Sequence, residues 1–109
     1  MSEGQSETQI EVYVTNIFKK ALNKLSDEVL TVVEDEIDKI IADPEIGEQK
    51  KGDLSYLRVH KFKVEGFEML LGYNWREDRL ELNLLNIGVH ENFYLNMKNR
   101  RKADIKFIG

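Results

Sequence analysis

Cysteine is missing from this sequence. That excludes a disulfide framework, a thiolate zinc site and a cysteine nucleophile. It agrees with a reducing compartment, and a cytoplasmic location is the expectation. Proline occurs once, as Pro44, so the chain is free to run in long regular elements. No apolar run approaches the roughly 18 residues of a membrane span, so no membrane partner is expected. The opening MSEGQSET is acidic and polar, without the apolar stretch of a secretory leader. Residues 1 to 9 are expected to form a loose tail and residues 10 to 109 a single domain. Histidine occurs only twice, as His60 and His90, and nothing in the spacing suggests a metal or other cofactor.

What the chain does have is an uneven distribution of charge. The formal net charge is -4, but residues 1–46 carry 11 acids against 4 bases, and residues 47–109 carry 9 against 12. An averaged charge hides a local basic face, and a phosphate backbone meets the face. The alternative is an acidic protein whose second half is mildly basic and merely solvated.

The hydrophobic period changes along the chain. IEVYV (10–14) alternates as a short strand. Thr15 or Asn16 can then cap a helix, with Ile17, Phe18, Ala21, Leu22 and Leu25 on one face. Ser26 can cap a second helix, whose stripe of Val29, Leu30, Val33, Ile37, Ile40 and Ile41 ends at Pro44. The charged, glycine-containing segment EIGEQKKGDLS reads as loop. From Leu57 the period is two. LRVHKFKV, FEMLLGYNW and LELNLLNIG read as a three-strand meander, turned at Glu65-Gly66 and at REDR. A basic last helix follows from Asn92, and the tail ADIKFIG offers Ile105, Phe107 and Ile108 for docking. The order β-α-α-β-β-β-α predicts an α+β fold: a helical hairpin on one face of a small, mostly antiparallel four-stranded sheet. Its strands are expected at 10–14, 56–64, 67–75 and 79–87, and its other face is expected to be open.

Alternation along LRVHKFKV puts Phe62 and Val64 in the core and Lys61 and Lys63 on the open face. Arg58 and His60 fall on the core side, where His60 reads as structural. Gly72 on the open face leaves room for something to lie close to the sheet. Lysines on a sheet face are commonly just solvated. IGVHENFY (87–94) ends a strand and starts a helix. It places His90 one helical turn before Tyr94. The plain reading is that Tyr94 packs and His90 fills the junction. The chemical reading is a proton donor or acceptor next to a ring that can stack on a base. RNA cleavage through its own 2′-hydroxyl needs a base, an acid and phosphate-binding cations, and these residues could supply them.

The runs GEQKKGDLSYLRVHKFKV, LLGYNW and IGVHENFYLNMK resemble the RelE/ParE superfamily of bacterial type II toxins. The resemblance spans residues 10 to 102. It implies a toxin paired with a cognate antitoxin. One branch acts as a metal-independent endoribonuclease on ribosome-bound mRNA and inhibits translation; the ParE branch instead targets DNA gyrase. An inactive toxin-fold protein that only binds its antitoxin is the third possibility. For the nuclease branch the resemblance implies His90, Tyr94, Lys61, Lys63 and Glu48 as catalytic residues. Lys51, three residues after Glu48, is then a substrate-binding residue together with Arg58 and Lys98. One departure stands out. Active nucleases often carry arginine after a glycine and an aromatic, and here GFE puts Glu68 at that position.

Overall fold

The computed structural model describes residues 9–109, so the tail expected at residues 1 to 9 falls almost wholly outside it. The elements run β1 (Glu11–Val14), α1 (Asn16–Asn23), α2 (Asp27–Ala42), β2 (Glu48–Gln49), a 3-10 turn (Gly52–Leu54), β3 (Arg58–Val64), β4 (Phe67–Arg76), β5 (Glu81–Val89), α3 (His90–Asn99) and α4 (Arg101–Ile108). This is the expected α+β class. The sheet has five strands in the order β1-β5-β4-β3-β2, one more than the sequence suggested. β1 pairs in parallel with β5 and the other pairs are antiparallel.

Local chemistry explains the helix starts. Thr15 and Ser26 both sit in extended backbone, and their hydroxyls accept from the amides of Phe18 and Val29. Each cap satisfies an amide that the first helical turn leaves unpaired. Thr15 also donates its hydroxyl to the Leu85 carbonyl, 2.8 Å away, which ties the start of α1 to the centre of the sheet. Between β3 and β4 the turn residues Glu65 and Gly66 both have positive φ (51° and 87°), the conformation of a primed two-residue hairpin turn.

The helical hairpin covers one face. Phe18, Val29, Val33 and Ile40 pack there on Phe62, Val64, Met69, Leu71 and Tyr73, and Trp75 lies against the same core. The opposite face is not open along its length. A second core of Leu54, Leu57, Val59, Leu70, Leu85, Phe93 and Met97 fills part of it, under α3. β4 is therefore buried on both sides, with Leu70 and Leu71 each 0% exposed. The space at Gly72 is taken by the protein itself: a Cβ there would sit 2.8 Å from the Phe93 ring and 3.1 Å from Leu57. Glycine at this position lets α3 lie close to the sheet.

β5 also serves both cores, and it is bulged. Gly72 pairs with Asn86 but Tyr73 pairs with Leu84, which leaves Leu85 as the extra residue. Leu84 and Leu85 enter opposite cores by ordinary alternation, and the bulge brings Ile87, three residues after Leu84, back to the first core. β5 also runs through Gly88 to Val89, and α3 starts directly at His90 rather than at Asn92. The last helix breaks at Arg100, and the tail forms α4. That helix docks through Ile108 and the buried Asp104, while Ile105 and Phe107 stay exposed.

Candidate functional site

The site is built outward from the first core. The Tyr73 hydroxyl donates to the Pro44 carbonyl at 2.7 Å and accepts from the Gly47 amide at 2.9 Å. Gly47 has no room for a side chain, since a Cβ would meet the Tyr73 hydroxyl at 2.8 Å. Arg58 adds two bonds from its guanidinium, to the carbonyls of Glu45 and Gly47 at 3.2 and 2.7 Å. These contacts pin the loop after α2 against the sheet. The chain that leaves it forms β2 on the edge of β3, with Glu48 opposite Val59 and Gln49 opposite Arg58. The Lys50 amide then bonds the Leu57 carbonyl at 2.9 Å. Arg58, expected to bind substrate, is thus engaged in bracing the strand that carries Glu48.

Directly paired residues of an antiparallel ladder share a face. Glu48 and Lys50 therefore lie on the Val59 face, with Lys61 diagonal to Glu48 and Lys63 further along. The Lys50 ammonium stands 2.9 Å from Glu48 Oε1 and 5.2 Å from the centre of the Tyr94 ring. The Tyr94 ring in turn meets His90 edge-on at 5.8 Å and Phe93 at 5.4 Å. Phe93 is locked in the second core and fixes the helix. The result is a continuous line from Glu48 through Lys50 and Tyr94 to His90, joining a sheet edge to a helix start.

The charges in this line support one another. The hydrogen bond and charge of Lys50, helped by Lys61 and Lys51, hold the Glu48 carboxyl below its ordinary value. The bond to Glu48 raises the Lys50 ammonium; burial works against this, and the Tyr94 hydroxyl adds to it. Both groups stay ionised across the neutral range. The Lys50 side chain is 20% exposed and Glu48 69%, so the lysine is the inner member of the pair.

The structure links Glu48 to Tyr94 and His90 through Lys50, and puts Lys61 on the sheet face of Glu48, close enough to influence it. Lys63 is exposed and pairs across the ladder with Glu68, the acid at the position where arginine was looked for. Lys51 is exposed at the head of the 3-10 turn. Lys98 lies one turn beyond Tyr94 on α3 and is also exposed. Sequence reasoning missed Lys50. The available signal was its spacing: two residues after Glu48, it shares that residue's face if the segment is extended.

His60 is placed very differently. It lies on the helical-hairpin face, with Nε2 2.7 Å from Glu36 Oε1 and its ring stacked on Phe62 at 5.8 Å. Burial pushes the Glu36 carboxyl up, but bonds from His60 and Lys39 outweigh it and leave the group below its usual range.

A second concavity lies on the other flank of α3. A groove of about 740 Å3 runs between α1 and α3, with Phe67, Met69 and Ile87 in its floor. Lys20, Lys24 and Arg100 line it, and among the described residues no acid does. Among the described residues no group of three or more histidines, cysteines and carboxylates is arranged to hold a metal ion. No described helix is long and apolar enough to cross a membrane.

Residues 12–98 match the model of the ParE-like toxins of type II bacterial toxin-antitoxin systems. This chain belongs to that family. The toxin fold is shared with solved structures at low sequence identity. The chain is similar to a component of the intact E. coli RelBE toxin-antitoxin complex, with 16% identity and a TM-score of 0.63 over 75% of this chain and 98% of that one. It is similar to the isolated E. coli RelE toxin at 15% identity and a TM-score of 0.59, over 83% and 97% of the two chains. The RelBE2 toxin-antitoxin complex of Mycobacterium tuberculosis gives 19%, 0.60, 74% and 98% in the same order. No curated protein matches the sequence. The ParE-like toxin described here therefore keeps the superfamily fold, and its chemistry must be read from its own side chains.

Proposed function

We propose that this toxin is a metal-independent endoribonuclease that cuts mRNA on the ribosome and so inhibits translation. The observation that carries the reading is the line Glu48–Lys50–Tyr94–His90, set beside Lys61 on the sheet face. In the reaction the 2′-oxygen attacks the neighbouring phosphorus and the bond to the 5′-oxygen breaks. Glu48, whose carboxyl is kept ionised beside Lys50 in the free protein, takes the 2′-hydroxyl proton. His90 protonates the departing 5′-oxygen; it stands at the head of α3, where the positive end of the helix dipole favours bound phosphate. Tyr94 offers its ring to a base, and Lys61 and Lys63 offset the phosphate charge. The products are a 2′,3′-cyclic phosphate and a free 5′-hydroxyl.

An antitoxin is the expected partner, as the E. coli and M. tuberculosis relatives were solved in toxin-antitoxin complexes. The groove beside α1, apolar below and cationic at its rim, suits an acidic amphipathic segment of such a protein. Lys98, Arg100, Arg101 and Lys102 extend the same positive character, and reversing all four to Glu should weaken the complex.

A second reading has its own support. The matched family model is named for ParE, and Glu68 occupies the position where arginine was looked for. Inhibition of DNA gyrase follows from that reading. Controlled expression with mapping of mRNA 5′ ends separates the two. Codon-periodic cuts in translated messages support the nuclease; DNA damage with intact messages supports the gyrase inhibitor.

A further inference from the structure

Four lysines stand on or near the candidate site, and only one of them is held in place by the fold. Lys51, Lys61 and Lys63 are exposed. Lys50 is not: its backbone is bonded to Leu57, its stem is largely covered, and its ammonium is fixed between the Glu48 carboxylate and the Tyr94 ring. A long side chain fixed before binding loses less rotamer freedom when a ligand arrives. Glu48 is the more exposed member of the pair, so its carboxylate can be exchanged for another anion at little cost. Glu48 Oε1 accepts from the ammonium as a non-bridging oxygen of a phosphodiester would. The Tyr94 ring, 5.2 Å from the ammonium, would keep the lysine in position during the exchange.

We infer that Lys50 is the phosphate-holding cation of the site. Its ammonium passes from Glu48 to a non-bridging oxygen of the scissile phosphate while it stays over the Tyr94 ring. This rests on the nuclease reading for the identity of the ligand. It also gives Glu48 a second part. In the free protein the carboxylate keeps the lysine in place; with RNA bound it is released from the lysine and left beside the substrate.

The test uses ribosomes programmed with a message whose exposed codon carries 2′-O-methyl riboses, which binds but cannot react. Affinity is measured against salt concentration for the wild-type toxin, Lys50→Met, Lys50→Arg and Glu48→Gln, and melting temperatures are recorded in parallel. Lys50→Met should weaken binding by about tenfold. It should also lower the magnitude of the salt slope by about 0.7, the loss of one single-strand phosphate contact. Lys50→Arg should restore the slope. Glu48→Gln removes the competing carboxylate and should bind at least as tightly as wild type. An unchanged slope in Lys50→Met overturns the assignment, and so does a loss in Glu48→Gln equal to that in Lys50→Met, which marks the pair as structural. Cleavage of the unmodified message by the wild type is scored separately. A toxin that binds with a Lys50-dependent slope yet never cleaves refutes the nuclease reading and keeps the phosphate contact. One that cleaves with a Lys50-independent slope does the reverse. A wild type that neither binds nor cleaves refutes both.

Discussion

The two histidines of this chain lie on opposite faces of one sheet, and their surroundings differ in kind. His60 is bonded to Glu36, stacked on Phe62 and 12% exposed in its side chain. The helical hairpin supplies its ionic partner and the sheet its stacking partner. His90 is exposed at the first position of α3 and meets only the edge of Tyr94 among its described aromatic neighbours. The first face uses its ionisable groups to hold helices on a sheet. The second sets ionisable groups around the rim of a smaller core and leaves them facing water. Burial separates a histidine that serves the fold from one available for chemistry; residue type does not.

Substitutions can break this contrast, and the largest effect should come from the residue that supports the second face. Phe93→Ala empties the space above Gly72 and should cost about 3–5 kcal/mol. In a domain of this size that lowers the melting temperature by well over 10 °C in calorimetry, and α3 should lose its position with it. His90→Gln should leave the melting temperature within a degree or two of wild type. Single-turnover cleavage of ribosome-bound message should fall by roughly 100-fold or more. An unchanged rate would remove His90 from the mechanism; a fall in rate that merely tracks a lower melting temperature would make it structural.

The pH dependence sharpens the same comparison through α4. Asp104 is 1% exposed, its Oδ2 has no hydrogen-bond partner, and Arg100 approaches Oδ1 only to 4.0 Å. Tyr56 faces it with a buried hydroxyl that is also without a partner and is pushed up to about 12, chiefly by burial. Burial raises the Asp104 carboxyl to about 6, against the pull of Arg100. A carboxyl whose folded value is raised favours folding most below its unfolded value near 3.8, and that contribution is lost as pH climbs through 6. Asp104→Asn should therefore stabilise the protein at pH 7–8 by up to about 3 kcal/mol, with the difference vanishing near pH 4. Denaturant melts at the two pH values check this. An equal effect at both would show that the carboxyl does not titrate on folding.

The smallest effect is expected on the first face. His60→Ala breaks a charge-assisted bond to Glu36 and should cost about 1.5–3 kcal/mol, measured as a shift in denaturant midpoint. Cleavage per folded molecule should not change, in contrast to His90→Gln.

The fold was legible wherever one periodicity ran long enough. Val29, Val33 and Ile40 announced α2, and Phe62 with Val64 announced the core side of β3, because single-sided burial writes a period into sequence. The second core was harder to see. Leu54 sits in a charged loop and Leu57 at the head of a strand, and Phe93 and Met97 are four residues apart on a helix that otherwise reads polar. Neither pair is a pattern without the other. Gly72 was read as room for something to lie close to the sheet, and what lies there is Phe93, since a glycine marks close approach but not by what. β2 is two residues long and is held by Tyr73 and Arg58, both distant in sequence, so local propensity had nothing to say about it. In the site, His90 and Tyr94 share a helix turn and could be paired by counting. Lys50 meets Tyr94 only through tertiary structure, and counting cannot find that.

Thr15 donates to Leu85 across 70 residues, and β1 lies in parallel against β5. During synthesis this means that the first strand has no partner until the last one has emerged. Local hairpins such as β3–β4 can close in microseconds, while contacts of such long separation come late and set the pace of folding. The helical hairpin must wait as well, for its core is completed by Leu82, Leu84 and Ile87 of β5. His90 follows that strand directly, so the chain cannot present its candidate site before the step that closes its sheet.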